Sequence, residues 1–181
     1  KFCSALIVES RSRGFAIPEG WEKWLLDLVS IATVTDMVTL TGENRVLLTY
    51  GLKVLNKTRR IGLQQLIEIS GRKLGEINAR DVGFSLGPRI NAAGRMDHAE
   101  LALRLMMSES FEEAEELSEQ LEGHNRERQR VVEGMFIVAE SRKIDGSISV
   151  LWDSSWSPSL VGLVAGRFLE RTGKPCVAIG K

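Results

Sequence analysis

The stretch Ser110-Phe-Glu-Glu113 constrains this chain most, because it opens a helix longer than one small body can hold. In such a capping box the serine side chain serves one free backbone N–H and the glutamate reaches back to another. Phe111, Ala114, Leu117 and Leu121, then Val132, Met135 and Val138, follow at steps of three and four. A stripe running to about Lys143 corresponds to a rod of about 48 Å at 1.5 Å per residue, and such a rod more often bridges two bodies than sits inside one. The stripe is interrupted in the middle. Continuing from Leu121 by four and three lands on Asn125 and Arg128. Either these two face something polar, or the stripe drifts around the helix and leaves both in solvent, with Gly123 and Gly134 as tolerated irregularities.

Ahead of the rod the pattern is helical. Lys1 to Glu9 carry helical spacing, Pro18-Glu19-Gly20 breaks it, and a helix resumes at Trp21 with Trp24, Leu25, Leu28 and Ile31 on one face. Thr41-Gly-Glu-Asn44 offers an N-cap region for a helix carrying Val46, Leu47, Tyr50, Leu52 and Leu55. Ile61 to Ser70 reads as a short helix closed by Gly71. Asn78 to Leu86 reads as another, stopped at Gly87-Pro88 because proline disfavours helical geometry at the residue before it. Ala99 to Met107 is a further helix. Behind the rod, Ile148 to Trp152 alternates as a strand, Pro158 to Arg171 is helical and Pro175 to Ile179 is a second strand. That order predicts two parallel strands with a helical crossover, hence an α/β chain with a domain boundary near residue 144.

Lysine plus arginine and aspartate plus glutamate balance at 24 each, so no global field draws in a polyanion and any such site must be a local cluster. The apolar share of 43% is ample for a core. No apolar run approaches the roughly 20 residues of a membrane-spanning helix. The start at Lys1, with neither an initiator methionine nor a signal pattern, suggests a fragment. Cys3, Cys176, His98 and His124 show no zinc spacing, and the thiols read as buried and reduced.

Three places can carry chemistry. Asp36 lies between apolar flanks, where a carboxylate needs a partner or a hard divalent cation if it is buried. From spacing alone a helix-terminal cap is the stronger reading. Gly87-Pro-Arg89-Ile-Asn91-Ala-Ala-Gly94-Arg95 sets two guanidinium groups and an amide among small residues, as a phosphate clamp requires, although Arg89 can as well be paired with an acidic side chain. In Trp156-Ser157-Pro158-Ser159, Ser157 falls at the N-cap and Pro158 at the first helical position, so the free N–H groups there can hold an anion or simply start a crossover helix. Gly162, Ala165 and Gly166 would give that helix a flat face against the sheet. Lys57, Arg59, Arg126, Arg128 and Arg130 read mostly as solvated faces.

These strings together resemble the RecJ family of the DHH phosphoesterase superfamily. Thr33-Val-Thr-Asp36-Met-Val-Thr-Leu-Thr-Gly-Glu-Asn-Arg45 is similar to a segment in which a metal-binding Asp precedes Leu-x-Gly-Glu-Asn-Arg. Leu86-Gly-Pro-Arg-Ile-Asn-Ala-Ala-Gly-Arg-Met96 is similar to the family's most recognisable string, and Trp156 to Arg167 with Gly173-Lys-Pro175 to the opening of the DHH-associated domain. The resemblance implies the C-terminal, mainly helical part of a DHH catalytic domain over residues 1–109, a linking helix over 110–143, and the β-α-β start of the DHH-associated domain over 144–181. It implies that Asp36 is a ligand of the catalytic manganese or magnesium. Arg89, Asn91 and Arg95 would grip the backbone or 5′ end of a strand, with Trp156, Ser157 and Ser159 near the substrate.

The parent implied is a cytoplasmic exonuclease degrading single-stranded DNA from the 5′ end in recombination and repair, with a single-strand-binding protein or helicase as partner and no membrane. The family has a His where Ser157 stands and a Gly where Ser159 stands. Its upstream acidic motifs, its Asp-His-His triplet and its later Gly-His motif are not in this chain, and Asp97-His98 is no substitute for the triplet. One carboxylate cannot assemble a site for two ions about 3.5–4 Å apart, so the chain alone is expected to be inactive. Two other readings stand beside this one: a phosphodiesterase acting on short oligonucleotides or cyclic dinucleotides, and a non-catalytic scaffold of the kind found at replisomes.

Overall fold

A computed structural model describes residues 2–96, 99–142 and 146–181. The domain boundary expected near residue 144, and Asp97-His98, lie outside the described residues. The elements are α1 (Phe2–Ser12), a 3₁₀ turn (Trp21–Leu25), α2 (Leu26–Thr35), α3 (Gly42–Leu55), α4 (Ile61–Ile69), α5 (Ala79–Asp81), a π turn (Val82–Leu86), α6 (Gly87–Met96), α7 (Glu100–Met107), α8 (Phe111–Glu140), β1 (Ser149–Trp152), α9 (Val161–Thr172) and β2 (Cys176–Ile179). The chain is α/β, mostly helical with a small parallel sheet. It divides into two compact units, one of Lys1–Pro88 with Leu103–Glu119, the other of Arg89–Ala102 with Gln120–Lys181.

The first unit is built on close helix contacts made possible by glycine. A Cβ at Gly51 of α3 would lie 2.5 Å from the Leu26 carbonyl oxygen and 2.6 Å from the Ser30 Cβ. This closeness decides which face of α3 is buried: Leu48, Gly51 and Leu55 turn inward, whereas Val46 and Tyr50 stay exposed. Leu63, Leu66 and Ile67 of α4 are fully buried, and a Cβ at Gly62 would come within 1.7 Å of the Leu105 carbonyl oxygen. Gly71, with φ +69°, closes α4 in the left-handed region.

Gly87-Pro88 does not stop a helix. Asn78 caps α5 by a full capping box with Asp81, the chain widens into the π turn, and α6 then runs through Pro88 to Met96. Proline breaks an α-helix because its ring meets a carbonyl four residues earlier and its nitrogen has no hydrogen to donate. A π turn placed just before it displaces those carbonyls, so the Asn91-Ala-Ala-Gly94 stretch lies inside a helix rather than in a loop.

In the second unit β1 and β2 pair in parallel, Ser149 with Cys176 through Trp152 with Ile179. Its core is Met135, Phe136, Ala139, Leu151, Trp156, Leu160, Val164 and Phe168. The crossover helix begins at Val161, later than Pro158, because Pro158 to Leu160 form a turn closed by the Leu160 N–H on the Ser157 carbonyl. Its packing face is Val164 and Phe168. Gly162 and Gly166 point into open space, so the flat glycine face does not lie on the sheet. Cys3 is exposed and not buried, while burial pushes the Cys176 thiol up.

Candidate nucleic-acid interface

In α8 the buried positions include Leu121, Asn125, Met135, Phe136 and Ala139. Val138 is exposed. Asn125 is only 2% exposed, so the break in the apolar stripe is a polar group turned inward and not a drift of the helix into solvent. Its Oδ1 accepts from Arg128 Nη2 at 3.0 Å. Arg126 and Arg130 lie on the solvent side, donating to Glu122 at 2.8 Å and to Glu127 at 2.6 Å. The three arginines alternate because residues two apart on a helix sit about 200° around its axis.

The Gly-Pro-Arg string lies on α6. Arg89 Nε stands 2.7 Å from the Glu122 carboxylate, with side chains 14% and 12% exposed. Arg95 donates from Nη1 to the Ser159 carbonyl at 2.5 Å, and the Ser159 hydroxyl donates back to the Arg95 carbonyl at 3.0 Å. Ser157 and Ser159 share a hydrogen bond between their hydroxyls at 2.8 Å, so Ser157 is spent in the turn and does not cap the helix. Arg95, Ser157 and Ser159 are thus brought together. Asn91 is exposed on α6. Trp156 is 2% exposed in the core, with the Arg142 guanidinium 5.6 Å from its ring centroid, and so offers no open face. Burial first, then repulsion from Arg95 and from Arg89, holds Arg128 below its ordinary pKa, which reflects how close three cations lie in a chain of no net charge.

Asp36 belongs to the first unit, at the C-terminus of α2. Its backbone N–H bonds Ala32 and Val34, while its side chain is exposed. It is therefore not a buried carboxylate, and it caps with its backbone. Met37, next to it, has φ +53°, the one positive value at a non-glycine among the described residues. A left-handed backbone at a residue with a side chain is uncommon, and here it turns the chain away after the end of α2. The buried carboxylate of α2 is Asp27, 2% exposed, which the sequence reading passed over. Its setting in Leu25-Leu-Asp27-Leu-Val29 is as apolar as that of Asp36, and Thr58-Arg59-Arg60 was the available partner signal. Among the described residues no group of three His, Cys, Asp or Glu could hold a metal ion.

Fold and site together define an α/β segment in which arginines from two helices gather against a serine-lined turn, a segment suited to holding a polyanion. No family profile matches the chain. Sequence relatives do. It is 41% identical over 160 residues to the single-stranded-DNA-specific exonuclease RecJ of Bacillus subtilis (strain 168), covering 86% of this chain and 20% of the relative. It is 35% identical over 175 residues to the RecJ of the same description from Escherichia coli (strain K12), covering 92% and 30%.

Among solved structures, RecJ in complex with Mg2+ from Thermus thermophilus superposes with a TM-score of 0.83 at 33% identity, over 91% of this chain and 26% of that one. Exonuclease RecJ bound to manganese gives 0.77 at 32% identity, over 94% and 43%. The chain is homologous to one segment of RecJ. It spans between 20% and 30% of the length of these curated relatives.

Proposed function

We propose that the protein carrying this segment is a metal-dependent exonuclease that hydrolyses the phosphodiester bonds of single-stranded DNA from the 5′ end, in the cytoplasm, during recombination and repair. Residues 1–109 would be the C-terminal part of a DHH catalytic domain, 110–143 a linking helix and 144–181 the start of a DHH-associated domain. The observation that carries this reading is the reciprocal bonding of Arg95 and Ser159, 64 residues apart, which joins the Gly-Pro-Arg string to the Trp-Ser-Pro-Ser turn. Two strings recognised separately in the sequence come together around one cluster of guanidinium groups. Relatives in both comparisons carry the RecJ name, which favours this reading over one built on cyclic dinucleotides or on a replisome scaffold.

Asp36 is one exposed carboxylate, so the described residues do not by themselves fit a catalytic metal centre. Asp36 would be one ligand of a manganese or magnesium completed by other groups. What this chain's residues supply is grip and orientation. Arg89 and Arg95 present planar forks that match phosphate oxygens, the exposed amide of Asn91 adds a neutral donor, and Ser157 and Ser159 hold the turn against Arg95. A single-strand-binding protein or a helicase would be the partner at the DNA end.

The test is digestion of a 5′-phosphorylated, 3′-labelled single strand by the protein expressed at its natural full length, with manganese or with EDTA, beside Asp36→Ala. Metal-dependent shortening from the 5′ end that vanishes in the variant is expected. An intact strand that is still bound would turn the reading to the scaffold, and cleavage confined to very short strands would turn it to an oligonucleotide phosphodiesterase.

A further inference from the structure

We propose that Asn125 and Arg128 on α8 complete, with Arg89 and Arg95 on α6, a cradle for one backbone phosphate of the single strand. The inference rests on the nucleic-acid reading above and adds two residues to it. Arg128 alone of the three α8 arginines turns away from the solvent side, and its neighbours on that side are neutralised by Glu122 and Glu127. Its Nε is buried and has no hydrogen-bond partner among the described residues. A buried, unpaired donor on a charged group is costly, so a structure keeps one where a ligand completes it.

Asn125 explains why this arginine is held where it is. The amide is 2% exposed and its oxygen takes Arg128 Nη2 at 3.0 Å, which fixes the guanidinium plane without neutralising it. A carboxylate at that position would hold the arginine equally well and cancel its charge. Arg95 is treated alike, its Nη1 resting on the uncharged Ser159 carbonyl. Glu122 stands 2.7 Å from Arg89 and also takes Arg126 at 2.8 Å. Arg128, Arg95 and Arg89 lie close enough to repel one another, which gathers positive charge on one side of α8, as a monoanionic backbone phosphate requires.

The experiment is fluorescence anisotropy of a labelled oligothymidylate of about 12 nucleotides in EDTA, titrated at several salt concentrations with the wild-type protein, Arg128→Gln, Arg128→Lys and Asn125→Leu. Each lost phosphate contact on a single strand lowers the slope of log affinity against log salt by about 0.7. Arg128→Gln is expected to lose that much slope and roughly tenfold in affinity near 0.1 M salt. Arg128→Lys is expected to keep the slope and lose part of the affinity, because a point charge replaces a fork. Asn125→Leu should weaken binding several-fold by releasing the arginine.

Unchanged affinity and slope in Arg128→Gln, in a wild-type background that binds, would overturn this proposal and leave the exonuclease reading intact. Should Arg128→Gln fail to fold, Arg128→Lys decides: affinity equal to wild type overturns the cradle. A wild-type protein that does not bind the strand at all would overturn both.

Discussion

The Thr58 hydroxyl donates to the buried Asp27 carboxylate at 2.8 Å, joining α2 to the turn before α4 across 31 residues of sequence. The same oxygen takes Arg60 Nε at 3.2 Å, and the other takes the Leu28 N–H at 2.7 Å. Removing one member strands the rest in a dry setting. Asp27→Ala is expected to destabilise the protein by about 3 kcal/mol and Thr58→Val by about 2 kcal/mol, since bonds to charged groups are worth more than neutral ones. Urea unfolding checks both, and a double variant costing clearly less than the sum would show that the two losses are one interaction.

Glycines in this chain divide by what surrounds them. Gly51→Ala and Gly62→Ala each drive a methyl group into a backbone carbonyl, at 2.5 and 1.7 Å, and neither carbonyl can rotate away. Each should cost about 2 to 3 kcal/mol despite alanine's better helix propensity. Gly134 in α8 has nothing within 4 Å of a built Cβ, and Gly134→Ala should stabilise by about 0.5 to 1 kcal/mol. Melting temperatures of opposite sign test the division directly.

Element types were largely legible in the sequence, because periodicity and order carry them. The β-α-β end followed from alternation, crossover length and the prolines, and the rod from its capping box, of which the serine half is seen at 3.1 Å on the Glu113 N–H. Burial was less legible. The pairing of α2 with α3 is set by Gly51 against Ser30, a contact that apolar counting ignores, so Val46 and Tyr50 were indistinguishable from core residues. A π turn before Pro88 has no propensity signature, and for that reason the Gly-Pro pair read as a stop. At the candidate site the sequence offered Arg89 and Arg95 through one compact string. Asn125 and Arg128 were visible only as a gap in a stripe, and only the structure distinguishes a polar group turned inward from one in solvent.

Asp36→Ala should separate fold from function. The side chain is exposed and its backbone, not its carboxylate, closes α2, so the melting temperature is expected to stay within about 2 °C of wild type. If the variant melts much lower, the carboxylate has a structural partner and loss of nuclease activity could not be assigned to metal binding.

Acid sensitivity of the second unit should depend on Asp153. The Ser155 backbone N–H at 3.0 Å and hydroxyl at 2.7 Å hold its carboxyl below the usual carboxylate range, against the opposing effect of burial and with further help from the Arg142 guanidinium at 2.8 Å. In the unfolded chain the same group titrates near its ordinary value, so on acidification the unfolded state takes up the proton first. The stabilisation is therefore fully present above about pH 4 and is lost as the pH falls through the lower folded value. Urea midpoints measured from about pH 6 down to about pH 2 should fall less steeply below about pH 4 in Asp153→Asn than in wild type, with the two curves converging at the acid end. Parallel curves would mean that Ser155 and Arg142 do not favour the ionised form, and that the turn after β1 is held by its backbone alone.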